Sequence, residues 1–433
     1  MKVCVQGMWH QGSVTAAALA SLGHQVVGLD FDADTIADLS RGIPPVFEPG
    51  LEDQVRRGLD CGKLRFSTCA EEATRDIDVL WVAHDTPVNE SDQGDVELVI
   101  ANIERALACL RAGTVVLVSA QLPVGSMRRL RALAAGKFPT RDLSFACCPE
   151  NLRLGSALEA FLNPQRIVVG APAGHGRDVI ARLLESISSR IEWMSVESAE
   201  MTKHALNAFL ATSATFANEI AAICEWVGAD AKEVERGLKT DARIGPGAYL
   251  APRAAFAGGT LARDVLYLNR IASDARLATP LLSSIKPSND AHKAWARRKL
   301  QKLFPDLSDI VVAVWGLAYK PGTDTLRRSG SVELCDWLLQ QQTRLQVHDP
   351  AVKELPGHWS GKVRRCVDPL NAVEDAHALI IATEWPMYRE ITAGRLLERA
   401  SPLTVLDAGR FVSGYDGAPG MRYVAVGMPD AAA

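Results

Sequence analysis

Glu200, Lys203 and Asn207 fall at i, i+3 and i+7 of the stretch Ala199–Ile220, so all three side chains leave one face of a helix. A lysine and an amide so placed would look into a cleft, where ligands bind; a surface ion pair with a polar neighbour is the alternative. A second group of residues points to different chemistry. Gly7 and Gly12 flank the turn after the short strand Val3–Gln6, a helix follows over 13–22, and the strand 24–30 ends on Asp30. Free N–H groups at such a helix start can hold a pyrophosphate, and Asp30 can accept hydrogen bonds from a ribose 2′-hydroxyl. Its carboxylate would repel a 2′-phosphate, which predicts NAD rather than NADP as cofactor. The fingerprint G-x-G-x-x-G is incomplete, because Trp9 stands where the middle glycine belongs. A tight strand-to-helix turn without a ligand is therefore the competing explanation.

The elements that must position these groups are legible in outline. Met201, Leu206, Phe209, Leu210, Phe216 and Ile220 recur at three- and four-residue steps, which predicts a long helix burying that stripe. Intervening alanines would let neighbouring elements approach closely. Asp78–Ala83 and Val115–Ala120 are short apolar runs suited to central parallel strands. Each leads into a polar loop, and Thr86 and Gln121 in those loops are expected to touch the cofactor at the carboxyl ends of the strands. Near the C-terminus, Ile310–Gly316, Ser331–Leu339 and Leu345–Pro350 repeat the strand–helix–strand layout in looser form, with Asp349 near the end of its second strand. The expected fold is α/β: two Rossmann-like doubly wound domains joined by a long central helix.

Composition narrows the function classes. The 433 residues suffice for roughly two to four domains. A formal charge of −4 offers no basic field for nucleic acid or an anionic membrane surface, so neither is an expected partner. The nine cysteines form no CxxC pair and no zinc spacing, which predicts reduced thiols, a cytoplasmic setting and no metal. The N-terminus enters a strand directly, without the apolar core of a signal peptide, and no apolar run approaches membrane-spanning length.

Several separate motifs resemble the UDP-glucose/GDP-mannose dehydrogenase family, in the family's order. They are Phe47-Glu-Pro-Gly-Leu51, Pro123-Val-Gly-Ser126, Pro149-Glu-Asn-Leu-Arg153, Gly155-Ser-Ala157 and Phe161-Leu-Asn-Pro-Gln-Arg166. The central helix, with Ala-Glu-Met-x-Lys-x-x-x-Asn, and the segment from Gly316 to Asp324 with Arg327 and Ser329 are similar too. The resemblance implies an NAD-binding domain over 1–195, a central helical and dimerisation domain over 196–300, and a sugar-nucleotide-binding domain over 301–433. It implies that Lys203, Asn207, Asp264 and Glu150 act on the reacting carbon of a nucleotide sugar. Lys320 would meet the substrate, and Arg327 the cofactor phosphates. Arg243, within Asp241-Ala-Arg-Ile-Gly245, would reach the substrate across a homodimer interface. Arg410 fits the family pattern only with a one-residue shift and is the weakest of the substrate contacts.

One departure touches the chemistry. In Ala255-Phe-Ala-Gly-Gly-Thr-Leu-Ala-Arg-Asp264, Thr260 stands at the family's nucleophilic cysteine. That thiolate traps an aldehyde and carries it through a second hydride transfer to a thioester; a threonine hydroxyl is a poor nucleophile without a strong base. Leu154 likewise replaces a further glutamate that often follows the one matching Glu150, which weakens water activation. Cys147 and Cys148 could approach the same cleft or be buried structural thiols. Oxidation to the uronic acid, oxidation to the aldehyde only, and a non-catalytic binder all remain open from sequence, as does the sugar nucleotide among UDP-glucose, a UDP-amino sugar and GDP-mannose.

Overall fold

The apolar runs form parallel strands because each is covered on both faces by helices. The computed structural model describes residues 1–87, 94–150, 152–257 and 259–429. The chain divides into two compact units, Met1–Leu206 and Asn207–Ala433. In the first, strands β1 (Lys2–Gln6), β2 (Gln25–Leu29), β3 (Leu64–Ser67), β4 (Val79–Val82), β5 (Val115–Val118), β6 (Ser144–Cys147), β7 (Ile167–Gly170) and β8 (Ile191–Met194) make one sheet in the order 3-2-1-4-5-6-7-8. Every pairing is parallel except β6 with β7. Alternate residues of one strand feed opposite cores, as the strand period of two requires. Val3 and Val5 join Val14 and Leu19 of the helix His10–Ser21, whereas Cys4 joins Ile103 and Leu107 of the helix Val96–Leu107.

The second unit carries β9 (Val311–Trp315), β10 (Arg344–His348), β11 (Val363–Arg365), β12 (Ala378–Ile381), β13 (Leu403–Asp407) and β14 (Met421–Val424), all parallel, in the order 11-10-9-12-13-14. This is the order of β3-β2-β1-β4-β5-β6, so both units have the doubly wound topology with a crevice where the order reverses. The two acids at corresponding places have diverged. Asp349 accepts from the amides of Leu317, Ala318, Ala351 and Val352 and from the Trp385 indole, so it clamps its own loops together.

The long helix runs from Val196 to Val227. Its orientation corrects the sequence-based expectation of a buried stripe. Phe209 is 67% exposed, and Met201, Phe216, Ile223 and Trp226 are exposed as well. The buried face is the alanine one: Ala199, Ala208, Ala211, Ala214, Ala221 and Cys224. Ala208 and Ala211 pack against Val265 and Leu268 of the helix Thr260–Asp274, where small side chains permit close approach. Apolar periodicity marks a face of a helix, but this helix has two apolar faces, and size selects the inner one.

Two of the quoted motifs owe their acids to structure. Glu48 is buried and accepts from the amides of Gly155 and Ala157 and from the His10 ring, which ties the segment 47–51 to the segment 155–157. Glu200 accepts from the amides of Gly125 and Met127, at the start of the helix Ser126–Lys137. It therefore serves the packing of the first unit, although it shares a helix face with Lys203. No helix among the described residues is long and apolar enough to cross a membrane.

Candidate active site

The crevice of the first unit begins at the turn after β1. Gly7 has φ +95°, and a Cβ there would come within 2.7 Å of the His84 ring. A Cβ on Gly12 would lie 1.6 Å from the Gly7 carbonyl oxygen, so neither position admits a side chain. Trp9 carries no such constraint: its φ is −84°, it caps the helix His10–Ser21, and its ring is largely exposed. The missing middle glycine is therefore tolerated by the backbone. Asp30, just past β2, accepts from the Met8 amide at 2.6 Å and from the Asp32 amide at 3.1 Å. A carboxylate has about four acceptor positions, so it keeps capacity for ribose hydroxyls. Thr86 and Gln121 meet at the ends of β4 and β5, the threonine hydroxyl donating to the Gln121 carbonyl at 2.8 Å. The turn, the helix N-terminus beside it and the acid suit a dinucleotide such as NAD. One feature is unusual: the Asp85 carboxylate accepts from the Gln11 amide at 3.3 Å, at the N-terminus of that helix.

Also in the first unit, the Lys203 ammonium donates to the Glu150 carbonyl at 2.5 Å. Burial raises the pKa of the Glu150 carboxyl, against the opposing pull of Lys203 and the Leu152 amide. A carboxyl whose folded pKa lies above its unfolded value costs stability once pH exceeds the unfolded value, and the cost is complete above the folded one. Glu150→Gln is therefore expected to raise Tm at pH 8 and to leave it unchanged near pH 3, which thermal melts across that range would check. Glu150 and Cys148 line a cavity of about 640 Å³, together with Arg153, Phe161, Asn163 and Arg166 of the quoted motifs. Cys147 and Cys148 are both buried; desolvation pushes Cys148 up to about 12 and Cys147 well above its usual range. Both stay as thiols at neutral pH, and a thiol is a far weaker nucleophile than a thiolate.

In the second unit, Asp264 is wholly buried and accepts from the Asn207 amide at 2.5 Å. Asp264 lies one turn inside the helix Thr260–Asp274, and Thr260 is its exposed first residue. Gly258 of the same loop and Asn151 of the motif 149–153 lie outside the described residues. A cavity of about 390 Å³ at the carboxyl ends of β9, β12 and β13 is lined by Lys320. Tyr249, Arg253, Trp295, Arg297, Arg328 and Thr383 line it as well. With Lys293, Tyr319 and Phe256, the lining holds three arginines, two lysines and four aromatic rings, which suit a diphosphate and a flat base. Sequence reading missed Arg253, Arg297 and Trp295, since helices and loops distant in sequence bring them there and no local motif marks them.

The other expected substrate contacts, Arg243 and Arg410, are not among the residues lining that cavity, and Arg327 is expected at the cofactor phosphates instead. Arg243 is exposed and held by Asp241 through two contacts, Nε at 3.0 Å and Nη2 at 2.7 Å, and is not among the lining residues. Arg327 is exposed in the loop before the helix Gly330–Gln340. Arg410 pairs with Asp230 at 2.8 Å. No group of three or more metal-ligating side chains occurs among the described residues.

Comparison with known proteins agrees in all parts of the chain. Residues 1–188 match the NAD binding domain, 197–291 the central domain and 313–414 the UDP binding domain of the UDP-glucose/GDP-mannose dehydrogenase family. The UDP-glucose 6-dehydrogenase of Pseudomonas aeruginosa is 33% identical over 404 residues, covering 90% of this chain and 89% of that protein. The UDP-glucose 6-dehydrogenase of Rhizobium meliloti is 32% identical, covering 99% of this chain and all of its own length (100%). The solved structure of a UDP-glucose dehydrogenase from Pyrobaculum islandicum superposes with a TM-score of 0.88 at 31% identity, covering 98% of this chain and 97% of that one.

Proposed function

Since this chain belongs to the UDP-glucose/GDP-mannose dehydrogenase family, we propose that it oxidises the primary alcohol of a UDP-linked hexose with NAD and stops at the aldehyde. The observation that carries the proposal is Asp264, a wholly buried carboxylate tied to Asn207 four residues from Thr260. Bound NAD supplies the hydride acceptor. Asp264 and Asn207 hold the water that takes the hydroxyl proton, and the Lys203 ammonium stabilises the alkoxide as hydride leaves its carbon. Glu150 positions that ammonium through its carbonyl. The balance is one alcohol and one NAD⁺ giving one aldehyde, one NADH and one proton. A second oxidation needs a covalent adduct or a hydrate. Thr260 supplies no thiolate, Cys147 and Cys148 are held as thiols, and Leu154 gives no base for water.

UDP-glucose is the first substrate to test, on the strength of the UDP binding domain and of the relatives' named activity. In a thermal-shift panel with NAD present, UDP-glucose and UDP-amino sugars are expected to raise Tm more than GDP-mannose. A larger shift with GDP-mannose would reassign the base. Arg327 is assigned to cofactor phosphates and Lys320 to the sugar nucleotide. All nine cysteines are free, in keeping with a cytoplasmic enzyme.

We further assign the exposed ridge of the long helix to a second copy of the chain. Phe209, Phe216 and Ile223 recur every seven residues, and Trp226 beside them is 90% exposed. So much aligned apolar surface marks an interface. The pairing would give Arg243, exposed and bound to Asp241, a site in the neighbouring subunit. Phe216→Glu with Ile223→Glu is expected to convert a dimer to monomers in light scattering and to lower activity at least about tenfold, because charges cannot be buried in such a seam. An unchanged dimer would remove this assignment.

A further inference from the structure

An anion at the start of the helix His10–Ser21 is already supplied by the protein. Asp85 Oδ2 accepts from the Gln11 amide at 3.3 Å, and Asp30 Oδ2 accepts from the Met8 amide at 2.6 Å. These two carboxylates bracket the glycine turn on both sides. The helix end has no other side-chain cap, since Trp9 makes none, and its first turn carries no acid of its own. N–H groups at this position of a doubly wound fold are those that receive a dinucleotide's pyrophosphate. The nearby His84 imidazole does not offset the charge, because burial lowers its pKa and leaves it neutral near pH 7.

We propose that Asp85 sets the affinity for the dinucleotide, by occupying with its own carboxylate the place that the cofactor's pyrophosphate must take. The inference rests on the family's NAD-binding domain and not on which sugar is oxidised. Asp85 and a pyrophosphate compete for the same amides and repel each other, so binding requires the side chain to withdraw. Asp85 thereby selects against the phosphate part of the ligand and is indifferent to the nucleoside. A carboxylate that merely braced the turn would stabilise the bound state and give the opposite sign.

Calorimetric titration of NAD, ADP-ribose and adenosine into wild type, Asp85→Asn, Asp85→Ser and Asp85→Glu separates these cases without any turnover. Asp85→Asn and Asp85→Ser are expected to bind NAD and ADP-ribose about tenfold more tightly or better, with adenosine unchanged. Asp85→Glu should stay near wild type. Raising salt from about 20 to about 300 mM should improve NAD binding to wild type relative to Asp85→Asn, because screening relieves only the repulsion in the wild type. Equal or weaker NAD binding by both neutral variants with unchanged melting temperatures overturns the inference, as does an equal gain for adenosine. If Asp85→Asn does not fold, Asp85→Ser carries the test. Absence of NAD binding by every protein overturns this inference together with the cofactor assignment. Binding that is tight but without turnover leaves this inference standing and defeats the proposed reaction.

Discussion

Lys203→Met is expected to lower kcat about a thousandfold while the dissociation constants for NAD and the sugar nucleotide change little. The lysine lies on the long helix and its ammonium is already fixed at 2.5 Å from a backbone carbonyl, so it needs little reorganisation as the substrate oxygen gains charge. A preset positive charge opposed to a forming alkoxide acts mainly in the transition state, which is why the loss should fall on kcat and not on binding. Removing the methylene stem would add a packing effect, and methionine avoids it. Lys203→Arg should recover only part of the loss, because a planar guanidinium cannot take the place of a compact ammonium. A Lys203→Met protein with wild-type kcat would mean that this residue only braces Glu150, and the assigned chemistry would have to move elsewhere.

Thr260→Cys should change the product itself. Residue 260 is the exposed first residue of the helix Thr260–Asp274, whose preceding Gly259 offers no side-chain cap. The positive end of the helix dipole favours a thiolate there, which lowers the thiol pKa toward neutrality. Such a thiolate can attack the aldehyde, and loss of a second hydride from that adduct gives a thioester and a second NADH. Hydrolysis is the remaining step, and Leu154 gives it no help. Thr260→Cys alone should therefore show a second NADH per active site in a rapid phase, with a covalent adduct visible by mass spectrometry. Thr260→Cys with Leu154→Glu should turn that into steady release of the acid. A single NADH and no adduct would show that residue 260 does not face the reacting carbon.

Much of this was legible in the sequence where the signal is local. The strand, the glycines and Asp30 lie within about one βαβ unit, and the fold places them at the crevice of a parallel sheet as that spacing requires. The repeat of the layout after residue 310 was legible in looser form, but the fate of Asp349 was not. An acid at a strand end reads the same whether it awaits a ribose or already holds the amides of Leu317 and Ala318. The long helix was recognisable from its period, but its inner face was not, because alanines and large apolar residues alternate around it. Glu48 and Glu200 could not be told from catalytic acids in their motifs, since the amides they cap lie 107 and 75 residues away. Asp85 is the clearest case. Nothing local distinguishes it from an ordinary loop acid, and only the fold brings it to the start of a helix that precedes it by more than 70 residues.

The account is tested most directly by counting NADH formed per molecule of UDP-glucose consumed, with the sugar limiting and NAD in excess. One NADH per sugar, with an aldehyde that hydroxylamine traps, is the expected result. Two NADH per sugar with free uronic acid would contradict the stop at the aldehyde, and none with any UDP-linked hexose would contradict the dehydrogenase reaction itself.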